Sequence, residues 1–183
     1  GGISRYVASA DSFAPIVPKD INLTKQISSI VEESSGVLWF ASESDGLLKY
    51  TPSKDSDKLG EFSQLTINNG LASNSIYSLC IGADGKLYIG TDHGLSVWDG
   101  NKISTYSGNS QLSTLKIKTI LDDEQGRLWL GTQESGLLVY SLNELASNPN
   151  AQPVATLNTQ NGLSVNTINT IYNDKAHRLW IGS

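Results

Sequence analysis

A repeated pattern constrains this chain more than any other feature of its sequence. Within its 183 residues, four stretches align without a gap over 18 positions, namely 25–42, 74–91, 115–132 and 166–183. Apolar residues recur in the same columns, and one column is aromatic in every copy: Trp39, Tyr88, Trp129 and Trp180. The copies begin 49, 41 and 51 residues apart. Self-similarity at a spacing of this size is typical of repeat architectures, so a single architecture is expected to run through the whole chain.

Each copy has the pattern of short β-strands. Stretches such as "SIYSLCI" and "KLYIGT" are apolar and rich in β-formers, and turn residues separate them. Asp84-Gly85 between two such stretches is a strong hairpin signal. A third strand, such as "GLSVW", follows the next turn, and a weaker fourth strand is predicted near 62–65, 102–106 and 154–157. Residues 141–152 are rich in Asn, Pro and Ser, which predicts a loop insertion with at most one short helical turn.

Four antiparallel strands repeated at this spacing predict an all-β fold, a β-propeller of about four four-stranded blades. The strand around Tyr88 is apolar on both faces, with Leu87 and Ile89 on the side opposite the ring. Such a sheet needs a neighbour on each face, which the blades of a propeller provide. The recurring aromatics are therefore predicted to pack between blades. The glycines that follow them, Gly90 and Gly131, are predicted to allow close approach of the next blade.

The two ends of the chain are complementary halves of one repeat. The chain begins with "GGISRY", the second half, and ends with "LWIGS", the first half. Joined, they complete a fourth blade, which predicts one propeller region with the units 1–46, 47–94, 95–136 and 137–183. Three arrangements remain open: a four-bladed ring of one chain, an eight-bladed ring of two chains joined head to tail, and a segment of a larger ring. The absence of methionine favours a processed or excised piece.

Composition excludes several classes of partner. The net charge is −5 and the 13 Lys and Arg residues are scattered, whereas nucleic-acid binders usually carry a basic stripe. Anionic lipid surfaces and strongly sulfated or carboxylated glycans are disfavoured for the same reason, and a neutral ligand or a protein is favoured. No apolar run approaches the roughly 18 residues that a membrane-spanning helix needs. The single cysteine, Cys80, excludes an internal disulfide and is predicted to be a core residue.

The sequence contains no recognisable catalytic or metal-binding set. His93 lies beside Asp92 in a predicted turn, where the pair could contact a ligand or donate a proton, but a solvated turn is the favoured interpretation. His177 falls where other copies have a turn glycine, and the two histidines are not expected to share a metal. The acids of the hairpin turns lack the spacing of a calcium loop. No catalytic residue, metal site or cofactor is therefore predicted, and the recurrent tryptophans are interpreted as packing residues before sugar platforms.

Two stretches of the sequence carry a resemblance to a known family. "NNGLASNSIYSLCIGADGKLYIGTDHGLSVW" at 68–98 and "QNGLSVNTINTIYNDKAHRLWIGS" at 160–183 resemble the two-component regulator propeller repeat. The copies at 25–50 and 115–140 are similar in their second and third strands, but "DINLTK" and "SQLSTL" replace the Asn-Gly-Leu pattern before the first strand. The resemblance implies larger rings, of about seven blades. It also implies the extracytoplasmic sensor region of a bacterial signalling protein, where such propellers sense nutrients such as oligosaccharides.

The propeller architecture places two sets of loops on one face around the central channel, here named the loop face: 42–45, 68–74, 91–93, 107–114, 132–135 and 160–165. Amides, hydroxyls and a few acids on these loops suit hydrogen bonds to sugar hydroxyls or a peptide backbone. The candidate ligand-binding residues are Glu43, Asp45, Asn68, Asn69, Asn74, Asp92, His93, Asn109, Gln133, Glu134, Gln160 and Asn161.

The function expected from these features is non-enzymatic ligand sensing by a propeller of a bacterial two-component-type signalling protein. Its place would be the periplasmic or extracellular side of the inner membrane, within a larger membrane-anchored protein and without direct insertion of this region. The expected partner is a small molecule, a glycan or a protein, and head-to-tail self-association through the chain ends is also open. The alternatives are a protein-interaction scaffold and a lyase-like enzyme, the latter from a weaker resemblance to streptogramin lyase propellers.

Overall fold

The computed structural model describes residues 2–55, 58–106 and 111–183. These residues form sixteen β-strands, one α-helix and two single turns of 3-10 helix. The strands of the first half are β1 (Ile3–Val7), β2 (Ser12–Ile16), β3 (Ile27–Glu32), β4 (Leu38–Ser42), β5 (Leu47–Thr51), β6 (Glu61–Leu65), β7 (Ile76–Ile81) and β8 (Leu87–Thr91). The elements of the second half are β9 (Gly94–Trp98), β10 (Ile103–Thr105), β11 (Ile117–Asp122), β12 (Arg127–Thr132), β13 (Leu137–Ser141), α1 (Leu142–Ser147), β14 (Ala155–Leu157), β15 (Thr170–Asn173) and β16 (Leu179–Gly182).

The strands form antiparallel sheets in which chain neighbours are also spatial neighbours. Strands β3–β6 make the first sheet, β7–β10 the second sheet and β11–β14 the third sheet. Two further strand pairs, β1–β2 and β15–β16, are here named the N-terminal hairpin and the C-terminal hairpin. The all-β prediction and the four-stranded unit, including its weak fourth strand, are confirmed.

The first strand of each sheet lies innermost and packs beside the first strand of the next sheet. Strand β7 contacts both β3 and β11, and β11 contacts β15. Hydrogen bonds join these strands: the Ser28 hydroxyl donates to the Ile76 carbonyl at 2.7 Å, and the Ile120 amide donates to Ser78 Oγ at 3.0 Å. The sheets are therefore arranged around a common inner edge, as blades are in a propeller.

The hydrophobic core lies between the sheets, where the recurrent aromatics fill the gaps. Trp39 of the first sheet is fully buried and its ring centroid lies 5.6 Å from that of Trp98 in the second sheet. Tyr88 of the second sheet packs with Leu128 and Tyr140 of the third sheet. The predicted role of these aromatics as packing residues is confirmed. Cys80 is partly buried against the same cluster, and burial raises the pKa of its thiol to about 11.

The glycines that follow the aromatic column allow the next sheet to approach. A Cβ atom at Gly90 would lie 2.8 Å from Ile117 Cγ2, and one at Gly131 would lie 2.7 Å from Ile168 Cγ2. Both isoleucines are fully buried residues of the neighbouring blade. Contacts below 3.0 Å are closer than a packed methyl group tolerates, so the predicted reason for these glycines is confirmed.

The two hairpins at the chain ends do not join into the predicted fourth blade. Each stays a separate two-stranded sheet, so the described chain is an open arc rather than a closed four-bladed ring. The outer faces of the arc are exposed as a result: Trp180 is 58% exposed and Tyr172 62% exposed, whereas Trp39 in the same column as Trp180 is 0% exposed. The division into units at 1–46, 47–94, 95–136 and 137–183 stays a prediction.

Within the segment predicted as a loop insertion, Leu142–Ser147 forms the helix α1. Its spacing explains this outcome, because Leu142 and Leu145 lie three residues apart and both are buried. The Tyr106 hydroxyl donates a hydrogen bond of 2.9 Å to the Leu145 carbonyl, which fixes the helix against the second sheet. Three of the residues that argued for a loop, Asn148, Pro149 and Asn150, lie after the helix.

A carboxylate fastens each hairpin turn to the aromatic of the following strand. Asp123 Oδ2 accepts hydrogen bonds from Trp129 Nε1 at 2.9 Å and from Arg127 Nε at 2.6 Å. The C-terminal hairpin repeats this arrangement with Asp174, Arg178 and Trp180. The turn acids are therefore structural groups, which agrees with the interpretation of these turns as hairpins.

Low pH should weaken the hydrogen bonds that the Asp123 carboxylate accepts. Asp123 is only 3% exposed. Burial opposes ionisation of the carboxyl, but hydrogen bonds from Trp129, Gln125 and Arg127 outweigh it and lower the pKa of Asp123. The stabilisation is then present above the unfolded-state pKa of about 3.9 and lost as the pH falls through the lower folded-state value.

We expect Asp123→Asn to lower the free energy of unfolding by about 2 kcal/mol at neutral pH. The difference from wild type should shrink below about pH 4 in urea unfolding. A difference that is constant down to strongly acid pH would contradict this, and the exposed Glu124→Gln is the control.

Candidate ligand-binding face

Described parts of the predicted loops contact one another across neighbouring sheets. The loop between the second and third strands of each sheet donates a backbone hydrogen bond to the segment that leads into the next inner strand. These bonds join Gly46 to Asn74 at 3.0 Å, Gly94 to Leu115 at 2.8 Å and Gly136 to Asn166 at 2.9 Å. The loop face is therefore a continuous surface that crosses from sheet to sheet.

The asparagines of the Asn-Gly-Leu pattern hold these loops in shape. Asn69 Oδ1 accepts a hydrogen bond from the Thr66 amide at 2.9 Å, and Asn74 Oδ1 accepts one from the Ile67 amide at 2.9 Å. In the later copy Asn161 Oδ1 accepts from the Asn158 amide at 2.7 Å. These side chains are exposed or half-buried, but their carbonyl oxygens are occupied within the loop. Their placement favours a shaping role over direct ligand contact.

Asp45 fixes the loop conformation in the copy that lacks the Asn-Gly-Leu pattern. Its carboxylate accepts hydrogen bonds from the Thr24 amide at 2.8 Å, the Thr24 hydroxyl at 2.7 Å and the Lys25 amide at 3.1 Å. Burial opposes ionisation, but these bonds and one from Ser42 lower the pKa of Asp45. The segment "DINLTK" is thus anchored by a side chain of the neighbouring loop.

The remaining candidates stand at the tips of the loops. Glu43, His93 and Glu134 are exposed, one on each complete sheet, and Gln133 is half-buried. Asp92 Oδ1 lies 2.9 Å from His93 Nδ1. Burial opposes ionisation of Asp92, but hydrogen bonds with Ser73 and His93 lower its pKa. Asn68 and Gln160 are also exposed, and Asn109 lies outside the described residues.

A set of inner-strand residues was missed by the sequence analysis. The pairing of the first two strands shifts register between Ile76 and Ser78 and between Ile117 and Thr119, which leaves one extra residue in each inner strand. Such a β-bulge re-aims a side chain. The bulge residues and their equivalents in the other sheets, here named the inner edge, are Ser28, Tyr77, Lys118 and Asn169.

Inner-edge side chains of neighbouring sheets contact one another. Lys118 Nζ donates a hydrogen bond to Asn169 Oδ1. Lys116, which lies just before β11 and outside the inner edge, places its Nζ 4.4 Å from the centroid of the Tyr77 ring. The signal in the sequence was the polar column directly after the recurrent isoleucines, which breaks the alternation of a strand. In the part of the chain that the structure describes, no group of three or more His, Cys, Asp and Glu side chains could hold a metal ion. No described helix is long and apolar enough to span a membrane.

Comparison with known proteins agrees with this geometry. A family model of the two-component regulator propeller matches residues 70–93, 111–134 and 162–183, each of which runs from a leading loop through the first two strands of a sheet. The protein named histidine kinase P4 of Formosa agariphila is 24% identical over 178 residues, which cover 90% of this chain and 12% of that protein. The chain thus spans a small part of this relative.

Solved structures share the fold. The extracellular domain assigned to the hybrid two component system BT3049 of B. thetaiotaomicron has a TM-score of 0.74 at 20% identity, covering 100% of this chain and 25% of that one. The corresponding domain of BT4673 has a TM-score of 0.67 at 22% identity, covering 86% and 22%.

PorZ, a surface component of the type-IX secretion system of Porphyromonas gingivalis, has a TM-score of 0.72 at 16% identity, covering 96% of this chain and 27% of that one. At these identities the likeness concerns the fold. The family match is carried by the repeats themselves, in the segments that form the inner strands. The chain is therefore similar to the two-component regulator propeller family over these three repeats.

Proposed function

We propose that this propeller segment binds a ligand on its loop face and serves a bacterial two-component-type signalling protein without catalysing a reaction. The observation that carries the proposal is that some loop side chains fix the backbone while others are exposed to solvent. Asp45, Asn69 and Asn74 fix the backbone, while Glu43 and His93 are held exposed at the loop tips. A preformed surface with a few displayed polar groups is what a small-ligand site requires.

The place of action follows from the same reasoning together with the relatives. Two solved neighbours are extracellular domains assigned to hybrid two component systems, and the curated relative is named a histidine kinase. We infer that this chain works on the periplasmic or extracellular side of the inner membrane, within a larger membrane-anchored protein. Because the chain spans 12% of that relative, the output activity would belong to other parts of the protein.

An oligosaccharide is the proposed ligand class. Glu43, Gln133 and Glu134 offer carboxylate and amide groups that can accept or donate several hydrogen bonds to sugar hydroxyls, and Asp92 with His93 offers a hydrogen-bonded carboxylate and imidazole. A ligand changes signalling only if it binds two arrangements of the protein with different affinity. Contacts that span the loops of two sheets meet this condition, because they respond to the angle between blades.

Ligand-dependent stabilisation tests this function. We expect one or more members of a panel of neutral oligosaccharides to raise the melting temperature of the chain, by an increment that grows with the logarithm of ligand concentration. The double variant Glu43→Gln/His93→Ala should keep the unliganded melting temperature, because both side chains are exposed, and should lose most of the shift. Lys175→Met, an exposed change in a hairpin turn, is the matched control. A shift that persists in the double variant would place the ligand elsewhere.

A protein-binding role is the second candidate, and the exposed faces of the arc favour it. Tyr172 and Trp180 on the C-terminal hairpin are each more than half exposed, and so is Ile30 on the first sheet. Apolar patches of this kind are typical of faces that a further sheet covers. Another blade of the same ring or a second copy joined head to tail would supply that sheet.

A further inference from the structure

We propose that the outer face of the C-terminal hairpin docks on the first sheet of a second copy of this chain, and that Trp180 is the side chain that enters. This inference rests on the protein-binding candidate for the function and commits it to one partner and one strand register. Its basis is a junction between sheets that the chain already makes three times. The contact with a second copy continues that established interface from one chain to the next.

In each internal junction, the aromatic residue of one blade packs on a fixed set of apolar side chains of the next blade. The aromatics are Trp39, Tyr88 and Trp129, and each shares a hydrophobic cluster with its receiving residues. The receiving residues, in chain order, are Leu79, Leu87 and Ile89, then Ile120, Leu128 and Leu130, then Ile171 and Leu179. The same positions of the repeat are used each time.

Two complementary halves of this junction are exposed in the described chain. Trp180 is 58% exposed, whereas Trp39 at the same position of the repeat is 0% exposed. Ile30 is 57% exposed, whereas the residues at its position in the second sheet, the third sheet and the C-terminal hairpin are only 6–8% exposed. One side of the arc therefore displays an aromatic without a receiving face, and the other side displays a receiving face without an aromatic.

An apolar cleft of about 330 Å³ lies where the aromatic would enter. The cleft opens between the N-terminal hairpin and the first sheet, and Ile30, Leu38 and Phe40 line it. These three side chains are the first-sheet equivalents of the residues that receive the aromatic in the internal junctions. Arg5 of the N-terminal hairpin lines the same cleft. The cleft thus has the composition of a receiving site whose aromatic comes from elsewhere.

The free strand edges of the two hairpins fit each other. The N-terminal hairpin pairs Tyr6 with Phe13 just as the third and fourth strands of the first sheet pair Tyr50 with Phe62. It is therefore the outer half of a blade, and the C-terminal hairpin is the inner half. In the part of the chain that the structure describes, β1 and β16 each pair on one side only. Unpaired edges of this kind are templates for pairing with another chain.

The register of the complete sheets specifies the residue opposite Trp180. In the first sheet, Trp39 pairs with Lys49, whose Nζ lies 5.2 Å from the centroid of the Trp39 ring. The same register between two copies sets Trp180 opposite Arg5. The guanidinium group then lies over the indole as Lys49 does over Trp39, which adds a cation–π contact to the apolar one.

Two copies are the number that closes the ring. Each copy brings three four-stranded sheets, and each junction between copies completes one further blade. Two copies then form eight blades, at the upper end of the usual range of propellers, and a third copy would exceed that range. Pairing depends on concentration through mass action, so the dilute chain is a single arc in which Trp180 is exposed.

Complementation between two variants tests this arrangement. The mass of the wild type, measured by light scattering, should rise from one chain to two as the protein concentration is raised. Trp180→Ala removes the entering side chain and Ile30→Lys obstructs the receiving cleft, so each variant alone should stay at one chain. Mixed in equal amounts, the two variants should pair through the one junction that remains intact. Val154→Lys, a change at a similarly exposed apolar residue outside both hairpins, is the control and should pair like the wild type.

The outcomes distinguish this inference from ligand sensing. A wild-type mass that stays at one chain up to about 1 mM would overturn the inference, and so would a series of masses above two chains. Pairing of either variant alone, or a mixture that stays at one chain while the wild type pairs, would overturn it as well, because the contact would then use other surfaces. The oligosaccharide panel is tested on the dilute chain, so its failure would contradict ligand sensing and leave the docking of two copies untouched.

Discussion

Replacing Gly136 by alanine is expected to lower the free energy of unfolding by about 3 kcal/mol, which corresponds to a fall in melting temperature of roughly 6–12 °C. Gly136 has a φ of +78°, where a side chain costs about 1–2 kcal/mol. A Cβ atom there would also lie 2.1 Å from the Leu157 carbonyl oxygen. That oxygen belongs to the backbone of β14, so the clash can be relieved only by moving a strand.

Gly126→Ala is the matched control for this change. Gly126 has nearly the same φ, +82°, but no atom lies within 4 Å of the added Cβ. His177 occupies the equivalent turn of the C-terminal hairpin with a φ of +57°, which shows that this turn accepts a side chain. We expect Gly126→Ala to cost only about 1–2 kcal/mol. Equal losses in the two variants, measured by urea unfolding, would mean that backbone strain alone explains the effect.

The fold was predictable because its sequence signals recur in every copy of the repeat. Turn glycines, apolar strand patterns and the aromatic column recur in each copy, so every copy supports the same assignment. The pattern also predicted the burial of Trp39 and Tyr88, because a strand with two apolar faces needs a neighbour on each, but it did not predict the exposure of Trp180 on the C-terminal hairpin. The helix α1 was predicted as no more than one short turn within a loop insertion, because two leucines three residues apart are a weak signal beside several Asn and Pro residues.

The candidate site was less predictable, because the same residue types build loops and bind ligands. Asn69 and Asn74 were sensible candidates by chemistry, yet the structure shows their oxygens occupied by backbone amides. Sequence spacing could not reveal these bonds, since they depend on the conformation of the loop.

The inner edge was missed for a different reason. A β-bulge shifts the alternation of a strand by one residue, so the face of the strand that Lys118 takes could not be assigned from the sequence. The net charge of the chain also gave no sign of the inner edge. The chain is acidic overall, and the sequence analysis therefore disfavoured strongly sulfated or carboxylated glycans. Whole-chain charge averages over surfaces that a ligand never touches, so it does not describe the charge of a local surface.

Trp39→Ala should destabilise the chain far more than Trp180→Ala. The two residues occupy the same position of the repeat, and each makes an equivalent hydrogen bond to its own hairpin turn. Each indole donates to a turn carboxylate: Trp39 to Glu33 at 2.6 Å and Trp180 to Asp174 at 2.9 Å. Trp39 is 0% exposed and packs against Trp98, whereas Trp180 is 58% exposed. We expect a loss of about 3–5 kcal/mol for Trp39→Ala and of about 1 kcal/mol for Trp180→Ala.

The comparison also reports on what covers the C-terminal hairpin in solution. If Trp180→Ala cost as much as Trp39→Ala, the outer face of the arc would have to be buried by another chain. Light scattering would then give a mass near two chains for the wild type and near one for the variant. A small loss with a mass of one chain would mean that the arc stays open when alone. Its apolar outer faces would then be free for further blades.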